Sequence, residues 1–177
     1  LNMNEETREI SPVDFSEMDT PAIWDVLSHE ERSAGFVNFP LAHPPRQVDP
    51  FFIGGIPAHA KQEVAYPDEV QQYLDKISYD VHPHVDPEVD PEGFYRAVQE
   101  LTEVQAEATI ELVERYDPSI LWVVFMGLDW IQHHFWDEDL GDENLVQEFY
   151  RFMDGVIGDL LEVVDSDGNV CLVSDHG

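Results

Sequence analysis

The strongest constraint on the fold is the alternation of helix and strand patterns in the second half of the chain. Residues 94–116 and 145–163 carry apolar side chains at intervals of three and four, which is typical of helices with one buried face. Residues 120–126 (ILWVVFM) and 170–173 (VCLV) are continuously apolar, as expected of strands covered on both faces. This order predicts an α/β fold with a mainly parallel sheet flanked by helices.

The first half of the chain has a less regular pattern. Thr20 and Pro21 predict a helix start, as N-cap and first helical residue, and residues 34–39 (AGFVNF) predict a short buried strand. Nine of the twelve prolines fall in residues 40–91, which also contain a short helix pattern near 68–77. Proline-rich stretches of this length predict a flap or irregular loop rather than core.

The acidic residues are spread over the whole chain. Against 38 Asp and Glu stand 8 Lys and Arg, which gives a formal net charge of −30. Such a surface repels nucleic acids and anionic membranes, so we expect neither as a partner. Dispersed acids with only two lysines suit a surface that is kept hydrated in concentrated salt, and we expect a halophilic source, such as an archaeon. A single cysteine, Cys171, and the lack of a long apolar run predict a cytoplasmic protein without disulfides.

Aspartate and histidine follow both apolar runs of the second half. Asp129 and His133 come after residues 120–126, and their spacing of four places them on one face of a helix. Asp175 and His176 come directly after the run 170–173 and Ser174. Ligands bind at the carboxyl ends of strands in open α/β sheets, and carboxylate with imidazole suits zinc, or else manganese or iron. The two pairs therefore indicate a two-metal centre that would hold a phosphoryl group.

Other interpretations of these residues stay open at this point. An Asp and a His four residues apart occur readily in an acidic chain, Asp175-His176-Gly177 fits a polar turn, and His134 fits simple packing. Residues 82–86 (HPHVD) have the composition of a metal site, but a solvated loop is the simpler interpretation. His43 and His59 are candidates for lining a substrate pocket.

Several motifs resemble one known family. Residues 173–177 (VSDHG) are similar to the S-D-H-G motif of the alkaline phosphatase superfamily. Residues 124–136 (VFMGLDWIQHHFW) resemble its type I phosphodiesterase/nucleotide pyrophosphatase branch, as do residues 23–28, 37–45 and 52–56. The family's usual Thr-Tyr is replaced here by Ala42-His43. The resemblance extends over nearly the whole chain, with the motifs in the family's order.

The resemblance implies an alkaline-phosphatase-like domain that hydrolyses small phosphodiesters or nucleotide pyrophosphates with two divalent metal ions, zinc or else manganese. Asp129 and His133 would bind one ion, Asp175 and His176 the other, and His134 would bind neither. The family's Thr or Ser nucleophile and a further metal-binding histidine are not found in residues 1–177. We therefore expect this chain to be the central part of one catalytic domain, with the proline-rich flap inside it and no activity on its own.

Three alternatives remain beside this hypothesis. A phosphoglycerate mutase-like or a sulfatase-like member of the same superfamily would use a related site. The third alternative is a truncated α/β domain that binds a metal ion or a partner without catalysis.

Overall fold

The computed structural model describes residues 2–3, 10–11, 20–58, 62–136, 144–165 and 167–174. These residues form a mixed α/β structure with a four-stranded, mostly parallel sheet flanked by helices, which confirms the predicted fold class. A separate pair of short strands lies near the amino terminus. The strands are β1 (Asn2–Met3), β2 (Ile10–Ser11), β3 (Ala34–Phe39), β4 (Pro50–Gly54), β5 (Ala65–Tyr66) and β6 (Ile120–Val123). The helices are α1 (Ile23–His29), α2 (Asp68–Lys76), α3 (Pro91–Tyr116), α4 (Gly127–Phe135) and α5 (Leu145–Glu162).

The sheet has the strand order β5-β4-β3-β6. Strand β3 runs parallel to both of its neighbours, with Ala34 opposite Pro50 of β4 and Ile120 of β6. Strand β5 is antiparallel to β4. Because β3, β4 and β6 run in the same direction, the residues that follow them meet at one edge of the sheet, where ligands bind in folds of this type.

The proline-rich segment 40–91 contributes to the core, contrary to the expectation that it would lie outside it. Phe51, Phe52 and Ile53 of β4 are fully buried, and so is Val70 of α2. Pro50 stands at the first position of β4 and Pro67 at the N-cap of α2. Proline is tolerated at such positions because they need no backbone N–H donor and are compatible with its fixed φ angle. The prolines here lie between and at the start of regular elements.

Helix α1 begins later than predicted. Its N-cap is Ala22 rather than Thr20, and its first helical residue is Ile23 rather than Pro21. The carboxylate of Asp25 accepts a hydrogen bond of 2.8 Å from the Ala22 backbone N–H. The start of α1 is therefore stabilised by the acid in its first turn rather than by an N-cap hydroxyl.

Both apolar runs of the second half differ from the prediction. Strand β6 ends at Val123 rather than at residue 126, and Trp122 is 46% exposed, so one face of the strand is not covered. Residues 170–173 form no strand, and Val170, Leu172 and Val173 are 54–85% exposed. An apolar run becomes a strand only where a free strand edge meets it. Within the described residues, 170–173 do not join the sheet next to β6.

The long helices match the predicted periodicity. Helix α3 begins at the Asp90 N-cap, whose side chain accepts from the Gly93 N–H at 2.9 Å, and ends at Asp117 in the left-handed conformation. Its buried residues pack in two groups. We call the group around β4 and α2 the sheet cluster, and it includes Ala108 and Leu112 of α3. We call the group around α4 and α5 the helix cluster, and it includes Phe94, Val98 and Ala106 of α3.

Candidate metal centre

Helix α4 carries the first predicted pair of ligands. Strand β6 leads into this helix within a few residues, so α4 begins at the carboxyl edge of the sheet. The Nε2 atom of His133 lies 3.3 Å from the Oδ1 atom of Asp129. The prediction that the spacing of four would bring both side chains to one face of a helix is thereby confirmed.

The orientation of α4 follows from the residues on its other face. Ile131 and Phe135 are buried in the helix cluster. Gly127, the first residue of the helix, is also buried, and a Cβ atom there would lie 2.8 Å from the Thr102 hydroxyl oxygen of α3 and from the Phe149 ring of α5. The absence of a side chain at Gly127 lets α4 approach both helices closely. The face with Asp129 and His133 is consequently turned away from the core.

The pair is accessible and has a separation that fits a metal ion. The side chain of Asp129 is 28% exposed and that of His133 is 67% exposed. Two ligands at about 2.0–2.1 Å from one tetrahedral zinc ion lie roughly 3.3–3.4 Å apart. The observed 3.3 Å matches this separation, and it also allows a direct ion pair when His133 is protonated. Carboxylate and imidazole are both common zinc ligands.

His134 has different surroundings. Its ring contacts the ring of Phe94 in an edge-to-face arrangement, with 5.0 Å between the centroids. Phe94 belongs to the helix cluster. Of the two adjacent histidines, His133 is therefore the one paired with Asp129, while His134 covers an apolar ring.

His82 and His84, in the loop before α3, have contacts of their own and are not part of the Asp129–His133 pair. The Nε2 atom of His84 is 2.6 Å from the Oδ2 atom of Asp80, and the His84 side chain is 70% exposed. The ring of His82 stacks on that of Trp130 in α4, with 6.4 Å between the centroids. The spacing of four between Asp80 and His84 was a signal in the sequence, but no pattern indicated the stacking of His82 on Trp130.

The remaining predicted residues are only partly described. The Nδ1 atom of His43 is buried and has no hydrogen-bond partner in the described ranges of the chain. His59, Asp175 and His176 lie outside the described residues. Within the part of the chain that the structure describes, no group of three or more His, Cys, Asp or Glu side chains could hold a metal ion. The second predicted pair and the two-metal arrangement therefore stay predictions.

A buried polar pair at the same edge of the sheet was not expected from the sequence. Asn38 in β3 is 5% exposed, and its Nδ2 atom donates to the Val124 carbonyl at 3.2 Å. The Tyr79 hydroxyl donates to the Asn38 Oδ1 atom at 2.5 Å. Burial raises the pKa of Tyr79 well above its ordinary value, because the charged phenolate would lose its hydration there. The one signal in the sequence was a polar residue inside the apolar run 34–39.

The sheet and the helix that follows β6 define an α/β protein with an aspartate and a histidine side by side at the carboxyl edge of its parallel strands. The model of the type I phosphodiesterase / nucleotide pyrophosphatase family matches residues 3–177. The chain belongs to this family. No curated protein and no solved structure gives a significant match. In the ranges of the chain that the structure describes, no helix is long and apolar enough to cross a membrane.

Proposed function

We propose that this chain is part of a metal-dependent hydrolase that cleaves phosphodiester or nucleotide pyrophosphate bonds of small molecules. The observation that carries the proposal is the Asp129–His133 pair, 3.3 Å apart on the accessible face of α4. The family match over residues 3–177 supports the reaction class. Metal ions at such a site stabilise the negative charge that a transferring phosphoryl group develops.

The residues of this chain have distinct proposed roles. Asp129 and His133 hold one divalent ion, zinc or else manganese, and Asp175 and His176 hold a second. His43 and His59 contact the substrate, and the buried Nδ1 atom of His43 has no competing partner among the residues that the structure describes. A Thr or Ser outside residues 1–177 is the proposed nucleophile. Such a hydroxyl would attack phosphorus and displace one alcohol or phosphate group of the substrate. Water would then cleave the new bond between the enzyme and phosphorus, which releases the remaining phosphate ester and restores the hydroxyl.

The test compares single variants in the natural gene product that contains this chain. Asp129→Ala and His133→Ala should each lower kcat/KM for bis-(p-nitrophenyl) phosphate by about 10²–10³-fold, as the loss of charge stabilisation at a phosphoryl group does elsewhere. Each variant should also lose zinc, measured by atomic absorption after dialysis. The matched control is His134→Ala, which should keep its zinc and stay within about threefold of the wild type, since His134 contacts Phe94.

The opposite pattern would overturn the assignment. If His134→Ala removes zinc and activity while His133→Ala has neither effect, His134 and not His133 is the metal ligand. If all three variants keep full activity, the reaction does not use this face of α4.

A further inference from the structure

Asn38 makes a buried connection between three segments of the chain. Its side chain donates to the Val124 carbonyl just after β6 and accepts from the Tyr79 hydroxyl in the loop after α2. The Val124 N–H donates to the Val37 carbonyl at 3.0 Å. Both backbone polar groups of Val124 are therefore held by adjacent residues of β3, three residues before α4 begins.

The backbone at this position also favours asparagine. Asn38 has a φ angle of 57°, and the pairing of β3 with β4 shifts register between Phe36 and Phe39. Asparagine is among the few residues other than glycine that adopt the left-handed region readily. A Cβ atom at Gly55, which follows β4, would collide with the Asn38 carbonyl, so the two backbones are closely packed at this point. Backbone and side chain together fix where the amide group points.

A small cavity continues from Asn38 to helix α4. It has a volume of about 10 Å³, and Asn38, Gln105, Met126 and Trp130 are among its lining residues. Met126 is the N-cap of α4, and Trp130 follows Asp129 directly. The Asn38 side chain and the first turn of α4 therefore border the same space, which is about large enough for one water molecule.

We propose that Asn38 is a positioning residue that fixes the exit of β6 and thereby sets the direction of Asp129 and His133. The inference rests on the proposed function for the role of these two residues. The local effect on β6 and α4 does not depend on it. Loss of a buried hydrogen bond that leaves a partner unsatisfied changes a local equilibrium by roughly tenfold.

The test uses Asn38→Gly in the natural gene product that contains this chain, because glycine keeps the left-handed backbone and removes only the side chain. Amide hydrogen exchange is followed at Val124, whose N–H is bonded to Val37, and at Trp130, whose N–H is bonded to Met126. We expect exchange at both amides to become about tenfold faster relative to that of Leu112 in the sheet cluster. Tyr79→Phe should give a smaller change of the same sign, since it leaves the bond to Val124 in place.

The matched control is Thr109→Val. The Thr109 hydroxyl is fully buried and donates at 2.7 Å to the Gln105 carbonyl within α3, so its loss removes a comparable bond away from β6. It should leave the exchange at Val124 and Trp130 unchanged relative to Leu112. Equal relative exchange in Asn38→Gly and Thr109→Val would overturn the positioning role.

Measuring zinc affinity then distinguishes the proposed metal site at Asp129 and His133 from the proposed positioning role of Asn38. Calorimetric titration with Zn²⁺ should show a component that Asp129→Ala abolishes and Asn38→Gly weakens about tenfold, while Thr109→Val leaves it unchanged. If Asp129→Ala removes no zinc binding from the wild type, the proposed metal site fails, and the exchange data alone decide the role of Asn38. If Asp129→Ala abolishes a component of zinc binding that Asn38→Gly leaves intact, Asn38 does not set the direction of Asp129 and His133.

Discussion

The hydroxyl of Tyr79 should make the free energy of unfolding depend on pH in the alkaline range. Burial raises its pKa well above 10, the value in an unfolded chain. Above pH 10 the unfolded state therefore loses a proton that the folded state keeps. The contribution of Tyr79 to the free energy of unfolding is complete below pH 10 and falls as the pH rises beyond it. One proton corresponds to about 1.4 kcal/mol per pH unit.

We expect Tyr79→Phe to reduce this decline by up to about 1.4 kcal/mol per pH unit between pH 10 and 11. Urea unfolding of both proteins at pH 8, 9, 10 and 11 measures the slope. Burial also raises the pKa values of Tyr73, Tyr95 and Tyr116, which remain in both proteins. Tyr150→Phe, at a residue 49% exposed, is the control and should keep the wild-type slope. A wild-type slope in Tyr79→Phe as well would contradict the prediction.

At the scale of residues, sequence reasoning worked where two groups lie on one regular element. The pairing of Asp129 with His133 follows from helix geometry alone, because residues four apart face each other. The bond between Asn38 and Tyr79 joins residues 41 positions apart, and no local pattern encodes it. The same holds for Gly127, since its close approach to Thr102 and Phe149 exists only after three helices have packed.

At the scale of elements, the contact of α4 with α3 and α5 depends on Gly127. Alanine is the better helix former, yet a Cβ atom at this position would lie 2.8 Å from both Thr102 and Phe149. We expect Gly127→Ala to lower the free energy of unfolding by about 1–3 kcal/mol, as other substitutions that overfill a packed site do. Urea denaturation at pH 7 measures the change.

Helix α5 offers matched controls for this substitution. Cβ atoms at Gly155 and Gly158 would meet nothing within 4 Å among the described atoms. Gly155→Ala and Gly158→Ala should therefore raise the free energy of unfolding by about 0.5–1 kcal/mol each, because only helix propensity changes. If Gly127→Ala raised the free energy of unfolding to the same extent, α4 would not need a glycine to pack against its neighbours, and the prediction would fail.

Element types were predictable where a periodic pattern is long. Helices α3 and α5 repeat their apolar positions over 26 and 18 residues, so their patterns are distinct from those of strands and loops. The run 170–173 is short, and its composition indicates only that it could pair. Whether a strand forms depends on a partner, and these residues are exposed in the described structure. The prediction that residues 40–91 lie outside the core failed for a related reason. Prolines mark the ends of elements, but they do not show whether the residues between them are buried.

At the scale of the whole molecule, the dominant feature is a formal net charge of −30. Ion pairs such as Arg96–Glu92 and Arg115–Glu111 are local, and 8 basic residues cannot balance 38 acidic ones. Repulsion among the acids should therefore weaken the folded state in dilute buffer. At 1 M salt the screening length is about 3 Å, so most of this repulsion disappears.

We expect the Tm to rise by at least about 2–4 °C between 20 mM and 2 M KCl, which corresponds to roughly 1 kcal/mol in a chain of this size. Circular dichroism during heating measures the midpoint at each concentration. Sucrose at equal osmolality is the control, because it is excluded from the protein surface but screens no charge. Equal midpoints at both KCl concentrations would contradict a surface adapted to salt.

Helix α3 has a further consequence for how the molecule loses its structure. Its residues contribute to the helix cluster at one end and to the sheet cluster at the other, along a rod of about 39 Å. Unwinding either end therefore exposes apolar surface in one cluster and removes support from the backbone that carries the other. We therefore expect the two clusters to unfold together as a single cooperative unit, so that a ligand bound at α4 would also protect the distant packing around β4.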